Sequence, residues 1–265
     1  MNTRTWLPRP VKILDVRPQN ATDVTLLFEN PSDTPEPGQF YEVSLPRIGE
    51  APISISDFGP GHIEMTVRAV GPLTAALCSR KPGDQISVRG PYGRGFPIDT
   101  FRGRPLVIAA GGTGTAPVKS LIRILAAHPE SAARMHLLLG YRSPADLLFR
   151  DEIEAWSRLT DVQVTVDRGD ASWQGRTGVI TTLIPGLPLE NPAETQVVVV
   201  GPPLMMKFTI LAMLDRGIRE ENLWVSYERR MSCGLGKCGR CKIHDRYVCL
   251  DGPVFPFAEA RWLAD

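Results

Sequence analysis

The segment PLVIAAGGTGTAPVKSLI, residues 105–122, leaves a chain few ways to fold. Its apolar run does not alternate, which suits a strand covered on both faces, and such strands belong to parallel sheets. A turn of Gly111, Gly112, Thr113 and Gly114 follows. Then comes a helix-like stretch opened by Ala116 and Pro117, and proline is at home in a helix's first turn. The texture continues through MHLLLGYR, LLFRDEIEAWSRL, VQVTVDRG, TGVITTLI, TQVVVVGPP, LMMKFTILAMLDRG and NLWVSYE. Alternating strand and helix predicts a doubly wound α/β parallel-sheet domain, assigned to residues 101–225.

Upstream the texture differs. VKILDVRP, VTLLFEN, FYEVSLP, IEMTVRAV and QISVRGP are short, β-branched runs, separated by turn signals at Pro37-Gly38, Gly59-Pro60-Gly61 and Pro82-Gly83-Asp84. Strands spaced this way predict an antiparallel Greek-key β-barrel over residues 1–100. The remaining residues, 226–265, form a small C-terminal segment dominated by cysteine.

Composition bounds the function. With 30 Lys plus Arg against 29 Asp plus Glu, no general pull toward nucleic acid or membrane is expected. No apolar run approaches the ~20 residues of a membrane span. The N-terminal stretch MNTRTWLPRPVK is polar and has no signal-peptide core, so a cytoplasmic protein is expected.

Four of the five cysteines, Cys233, Cys238, Cys241 and Cys249, lie in the spacing C-x4-C-x2-C-x7-C. The first three match the plant-type [2Fe–2S] pattern, in which four thiolates hold two irons. Gly234, Gly236 and Gly239 allow a tight loop and bring backbone N–H groups to the sulfurs. Structural zinc is the first alternative, although zinc sites usually show two C-x2-C knuckles and only one is present. Two disulfides are the second, disfavoured in a reducing compartment. Cys78, in PLTAALCSR, reads as a small buried apolar residue. Arg229, Arg230, Lys237, Arg240, Lys242 and Arg246 surround the cluster, against Glu228 and Asp245. They are either solvated loop charge or a docking face for an acidic partner.

Two glycine turns carry the nucleotide signal. Helix N–H groups after Gly111–Gly114 suit a pyrophosphate, the alternative being a tight turn without a ligand. Gly201, Pro202 and Pro203 repeat the geometry after VVVV, ahead of Met205 and Met206, which also suit a plain core. In open α/β sheets, ligands sit at the carboxyl ends of strands. In the barrel, APISIS (Ala51–Ser56), the set Arg68, Gly71 and Thr74, and GPYGRGF (Gly90–Phe96) read either as turns or as flavin contacts.

In this order the motifs resemble the ferredoxin–NADP reductase superfamily over nearly the whole chain. The cysteine segment resembles electron-transfer subunits of the anaerobic sulfite reductase B and hydrogenase gamma type, and more distantly that of dihydroorotate dehydrogenase. The resemblance implies FAD, a [2Fe–2S] cluster and NAD(P)H as cofactors, and a separate catalytic redox subunit as partner. It implies Pro52, Ile53, Ser54 and Ile55 along the flavin, and Arg68, Gly71 and Thr74 near its ribityl–pyrophosphate region. Gly111, Gly112, Thr113, Gly114, Ala116 and Pro117 would hold the nicotinamide dinucleotide. Gly201, Pro202, Pro203 and Met205 would lie near its nicotinamide end, and the four cysteines would bind the cluster. Two departures stand out. Ala51 and Ile53 replace the arginine and tyrosine of the usual Arg-Pro-Tyr-Ser, leaving Arg68 to supply phosphate charge, and Val200 replaces a cysteine. Hydride transfer needs no acid–base residue, consistent with the scarcity of candidates: only His62, His128, His136 and His244.

Two other functions fit the same residues. One is a free-standing NAD(P)H-dependent flavin or dye reductase; the other is a nucleotide sensor with structural zinc. Arg142-Ser143 and Asp167-Arg168 follow strands and suit a 2′-phosphate or plain surface charge, so NADH and NADPH are not separated.

Overall fold

The structure is a computed structural model that describes residues 6–31 and 34–261. Met1–Thr5, the start of the polar N-terminal stretch, lie outside the described residues. The chain divides into two compact units, residues 1–96 with 227–254, and residues 97–226 with 255–265.

The first unit is built on a closed antiparallel barrel. Its strands are β1 (Arg9–Pro18), β2 (Asp23–Glu29), β3 (Phe40–Leu45), β4 (Gly49–Gly59), β5 (His62–Arg68) and β6 (Gln85–Tyr92), in the order β1-β2-β5-β4-β3-β6. Side-chain alternation sorts each strand into two faces. On β3, Tyr41, Val43 and Leu45 enter the barrel core with Ile13, Leu26, Phe28, Ile55, Ile63 and Met65. The rings of Phe28 and Tyr41 meet edge-on at 6.4 Å. Phe40, Glu42 and Ser44 take the other face. APISIS lies within the long strand β4, not at a strand's end. The helix Pro72–Cys78 plugs one side of the barrel through Leu73 and Leu77. Cys78 is half-buried there, and its thiol donates to the Val67 carbonyl at 3.5 Å.

The same unit contains the cysteine segment, with the two-residue strands β13 (Lys242–Ile243) and β14 (Arg246–Tyr247) and the turn of helix Val248–Asp251. The chain returns along the barrel's Gly90–Phe96 loop, where the Arg94 N–H donates to the Gly252 carbonyl at 2.6 Å and the Tyr227 N–H to Pro253 at 3.0 Å.

The second unit is a seven-stranded sheet. Its strands are β7 (Leu106–Gly111), β8 (Met135–Tyr141), β9 (Asp161–Val166), β10 (Arg176–Thr177), β11 (Gln196–Val200), β12 (Leu223–Ser226) and β15 (Val254–Pro256), in the order β10-β9-β8-β7-β11-β12-β15. Pairing is parallel from β10 through β12. All residues of β7 and β11 are buried, as an uninterrupted apolar run demands. The stretch TGVITTLI forms β10's end and a 3₁₀ helix, Ile180–Gly186, rather than a full strand. Gly178 turns the chain at φ 135°, and Pro185 has no N–H for a ladder. No described helix is long and apolar enough to cross a membrane.

Phe101 is fully buried, its ring edge-on to Trp224 at 5.8 Å. Replacing it with alanine is expected to cost about 3–5 kcal/mol, read as a lowered midpoint when the second unit is unfolded in denaturant.

Candidate functional site

The cysteines lie in two pairs on one loop. Cys241 and Cys249 are buried, their sulfurs 3.3 Å apart. The Cys238 thiol lies beside Cys233 and helps lower its pKa, and Cys238 is exposed. Backbone N–H groups point at the sulfurs: Leu235 and Lys237 donate to Cys233 at 3.3 and 3.5 Å, and Gly236 to Cys249 at 3.2 Å. Gly234 and Gly236 make this possible at φ 68° and 67°. A Cβ on Gly234 would also fall 2.6 Å from the Tyr92 ring. Burial works against ionising Cys233, but the N–H donors of Leu235, Lys237 and Cys238 outweigh it and bring the thiol down to about 6. Burial and the adjoining Cys241 thiol push Cys249 up to about 12. Metal binding has to displace that proton. In chemistry the donor set suits a diiron centre, two thiols for each iron with N–H groups on the sulfurs, although among the described residues no three such side chains converge on one ion position. His244 is exposed in the turn between β13 and β14.

Sequence reasoning missed what lies beneath this loop. Arg89 on β6 is buried, 6% exposed. Its Nε donates to Glu50 at 3.0 Å and its Nη2 to the other Glu50 oxygen. It also donates to the carbonyls of Ser232 and Cys233 and, at 3.4 Å, to the Tyr92 hydroxyl. Glu42, opposite Arg89 in the β3–β6 register, is 1% exposed. Neither of its oxygens has a hydrogen-bond partner among the described residues. Burial pushes its carboxyl up to about 7, with the Arg89 charge acting against the rise. The only sequence signal was two acidic residues and an arginine in β runs, which period-2 patterning assigns to solvent.

The barrel's predicted flavin residues gather on adjoining strands. Pro52, Ile53 and Ser54 are half-buried on β4, whereas Ile55 is fully buried in the core. Ile55 lies opposite Met65 on β5, so antiparallel pairing carries Arg68 to the same end as Pro52. Arg68 is not a free cation. Its Nε lies 2.9 Å from one oxygen of buried Asp23, and its Nη2 is 3.0 Å from the other. Gly71 caps the helix Pro72–Cys78. The Thr74 hydroxyl accepts the N–H groups of Val70 and Gly71, both at 3.0 Å, and donates to the Gly71 carbonyl. Thr74 therefore serves the cap with its whole hydrogen-bonding capacity.

In the second unit the two glycine loops meet. β7 and β11 are neighbours, and strand order reverses between them: β8 and β9 extend one way, β12 the other. Both loops leave carboxyl ends of strands at this switch point, where open α/β sheets bind ligands. A Cβ on Gly111 would lie 2.6 Å from the Met205 sulfur. One on Gly114 would lie 2.6 Å from the Val200 carbonyl oxygen and 2.8 Å from Gly201 Cα. Gly112–Thr115 forms a 3₁₀ turn into the helix Ala116–Ala126. Thr113 stays half-buried, Ala116 and Pro117 are buried, and Pro202 and Pro203 are exposed. Met206, not Met205, is the core methionine at 4% exposure. Arg142, Ser143, Asp146, Asp167 and Arg168 line one pocket, because the Arg168 N–H donates to the Arg142 carbonyl at 3.0 Å.

Comparison with known proteins accords with this geometry. Residues 108–210 match the oxidoreductase NAD-binding domain family. Residues 228–260 match the iron–sulfur cluster binding domain of dihydroorotate dehydrogenase B, which resolves the zinc and disulfide alternatives in favour of a cluster. The chain is 38% identical to the sulfhydrogenase 1 gamma subunit of Pyrococcus furiosus, covering 93% of this chain and 90% of that one. It is 34% identical to a probable dihydroorotate dehydrogenase B electron transfer subunit of Thermococcus kodakarensis, covering 89% and 91%. A solved NADH-dependent reduced ferredoxin-NADP oxidoreductase, described in connection with flavin-based electron bifurcation, superposes with a TM-score of 0.78 at 28% identity, covering 94% and 88%. With relatives of this identity spanning most of both chains, the chain belongs to the ferredoxin–NADP reductase-like electron-transfer subunits that carry an iron–sulfur segment beyond their nucleotide-binding sheet.

Proposed function

We propose that this chain passes electrons between NAD(P)H, FAD and a [2Fe–2S] cluster on behalf of a separate catalytic subunit of the sulfite reductase or hydrogenase type. The observation that carries the reading is the coexistence, in one chain, of glycine loops interlocked at a sheet's switch point and a loop of paired, N–H-bonded thiols. When bound, nicotinamide, flavin and cluster together convert a two-electron donor into single-electron deliveries.

The protein's own residues position these groups. Gly111–Gly114, with Ala116 and Pro117, present helix N–H groups to the coenzyme's pyrophosphate. Gly201–Pro203 and Met205 bound its nicotinamide end. Pro52, Ile53 and Ser54 offer the flavin a half-buried strand surface, with Ile55 backing it from the core. Gly71 and Thr74 shape the helix start beside the flavin's ribityl–pyrophosphate region, with the Thr74 hydroxyl engaged in the cap. Asp23 holds Arg68 through Nε and Nη2, which leaves Nη1 to turn toward phosphate. Cys233, Cys238, Cys241 and Cys249 hold the cluster. Exposed Cys238 sits between Lys237 and Arg240, both exposed, so electrons leave through a cationic rim suited to an acidic partner surface. The cytoplasm, which keeps thiols reduced, is the compartment this assignment needs.

A dihydroorotate dehydrogenase partner is the second reading. It is favoured by the cysteine segment's match to that enzyme's iron–sulfur domain. Identification of the subunit that copurifies separates the two, and isolation of an active chain with no stable partner points to a free-standing reductase.

Anaerobically purified protein is expected to contain about two irons and about two acid-labile sulfides per chain, and Cys238→Ser to lose most of both. Stoichiometric zinc in place of iron would overturn the assignment. Gly114→Ala places a methyl against the Val200 carbonyl. It is expected to weaken NAD(P)H binding about tenfold or more, measured by titration, with bound flavin retained. Unchanged affinity would remove the loop from the coenzyme site.

A further inference from the structure

Arg89 joins the barrel to a cluster ligand's own backbone. An arginine carries five N–H donors. Here five acceptors meet them: both Glu50 oxygens, the Tyr92 hydroxyl and the carbonyls of Ser232 and Cys233. The guanidinium is buried and Glu50 is only part-exposed, so solvent and salt screen this pair weakly. Cys233 in turn takes the N–H groups of Leu235 and Lys237 on its sulfur. A shift of the Cys233 carbonyl therefore moves the sulfur and the donors that face it. Groups behind metal ligands set ligand orientation and the metal's electronic properties.

We propose that Arg89 is a positioning residue for the iron–sulfur loop, and that Arg89 and Glu50 act on the cluster's reduction in opposite directions. This rests on the reading that the four cysteines hold a [2Fe–2S] centre. Adding one electron to such a centre adds one negative charge beside Cys233. The fixed cation of Arg89 favours that addition, and the carboxylate of Glu50 opposes it. Lysine has three donors on a single nitrogen and lacks the planar fork. It keeps the charge but leaves at least two of the five acceptors unmet, and its single nitrogen does not reproduce the fork that joins Glu50 to both loop carbonyls.

The test is a potentiometric titration of the holoprotein, followed by the spin-resonance signal of the reduced cluster. Glu50→Gln is expected to shift the reduced-to-oxidised ratio at fixed potential about tenfold toward reduced, equivalent to 59 mV for one electron. Arg89→Gln is expected to shift it in the opposite direction and to release iron to a chelator faster. Arg89→Lys is expected to restore the ratio toward wild type while still releasing iron faster. A purely structural role predicts shifts of the same sign, or none, in Glu50→Gln and Arg89→Gln, and either outcome overturns the proposal. If Arg89→Gln does not fold, Glu50→Gln decides alone: a shift toward reduced supports it, and no shift or the reverse sinks it. Wild-type protein lacking iron and sulfide would instead remove the iron–sulfur reading beneath it.

Discussion

A buried guanidinium has to be satisfied on every side, because an unpaired charge in a low-dielectric interior costs several kcal/mol. Arg89 meets that demand by binding two distant parts of the chain, the barrel at Glu50 and Tyr92 and the cysteine loop at Ser232 and Cys233. Backbone hydrogen bonds from Arg94 to Gly252 and from Tyr227 to Pro253 hold the far end of the same segment. Its regular structure amounts to a two-residue hairpin and one helical turn, and its largest apolar contribution is Ile243, Val248 and the two inner cysteines. Such a segment draws folding free energy from metal binding, and its orientation from the barrel. The side chain that supplies the orientation also brings a fixed positive charge to the Cys233 backbone.

The nucleotide half solves a different problem. Two glycine loops must approach closely enough to bracket one ligand, yet both leave neighbouring strands, whose spacing in a sheet is only about 4.8 Å. Side chains on both loops would collide. Gly111 and Gly114 remove the collision on one side, and Met205 fills the remaining space with a flexible thioether. The short apolar run before each loop makes both strand ends buried and rigid, so the loops inherit a fixed separation.

Much of this was legible in the sequence, for physical reasons. An apolar run ending in Gly-Gly-Thr-Gly can hardly be anything but a buried strand feeding a helix, and cysteine spacing is constrained by the geometry of two irons. What the sequence hid was the use of outward-facing barrel residues. Glu42 and Arg89 are buried at positions that alternation assigns to water, and a distant segment returns onto Arg89. Thr74 was hidden in another way. Beside a glycine at a helix start it suits a phosphate, but the same hydroxyl suits the cap, and local hydrogen bonds form first. The TGVITTLI stretch misled because its β-branched content resembles a strand, while Gly178 and Pro185 divert it.

Glu42 shows how the layer under the cysteine loop balances its charge. Arg89 spends all five donors elsewhere, so it supports Glu42 through space alone. The layer holds one cation and two carboxyl groups. Were both carboxyls ionised, it would set a net negative charge beside a centre that is itself anionic. Burial prevents this, since it holds the Glu42 carboxyl protonated up to about pH 7. The remaining charges, Arg89 and Glu50, then cancel. A second buried cation would have achieved the same balance, but it would have needed its own set of acceptors. A neutral acid is the smaller burden, because it leaves no uncompensated charge in the interior.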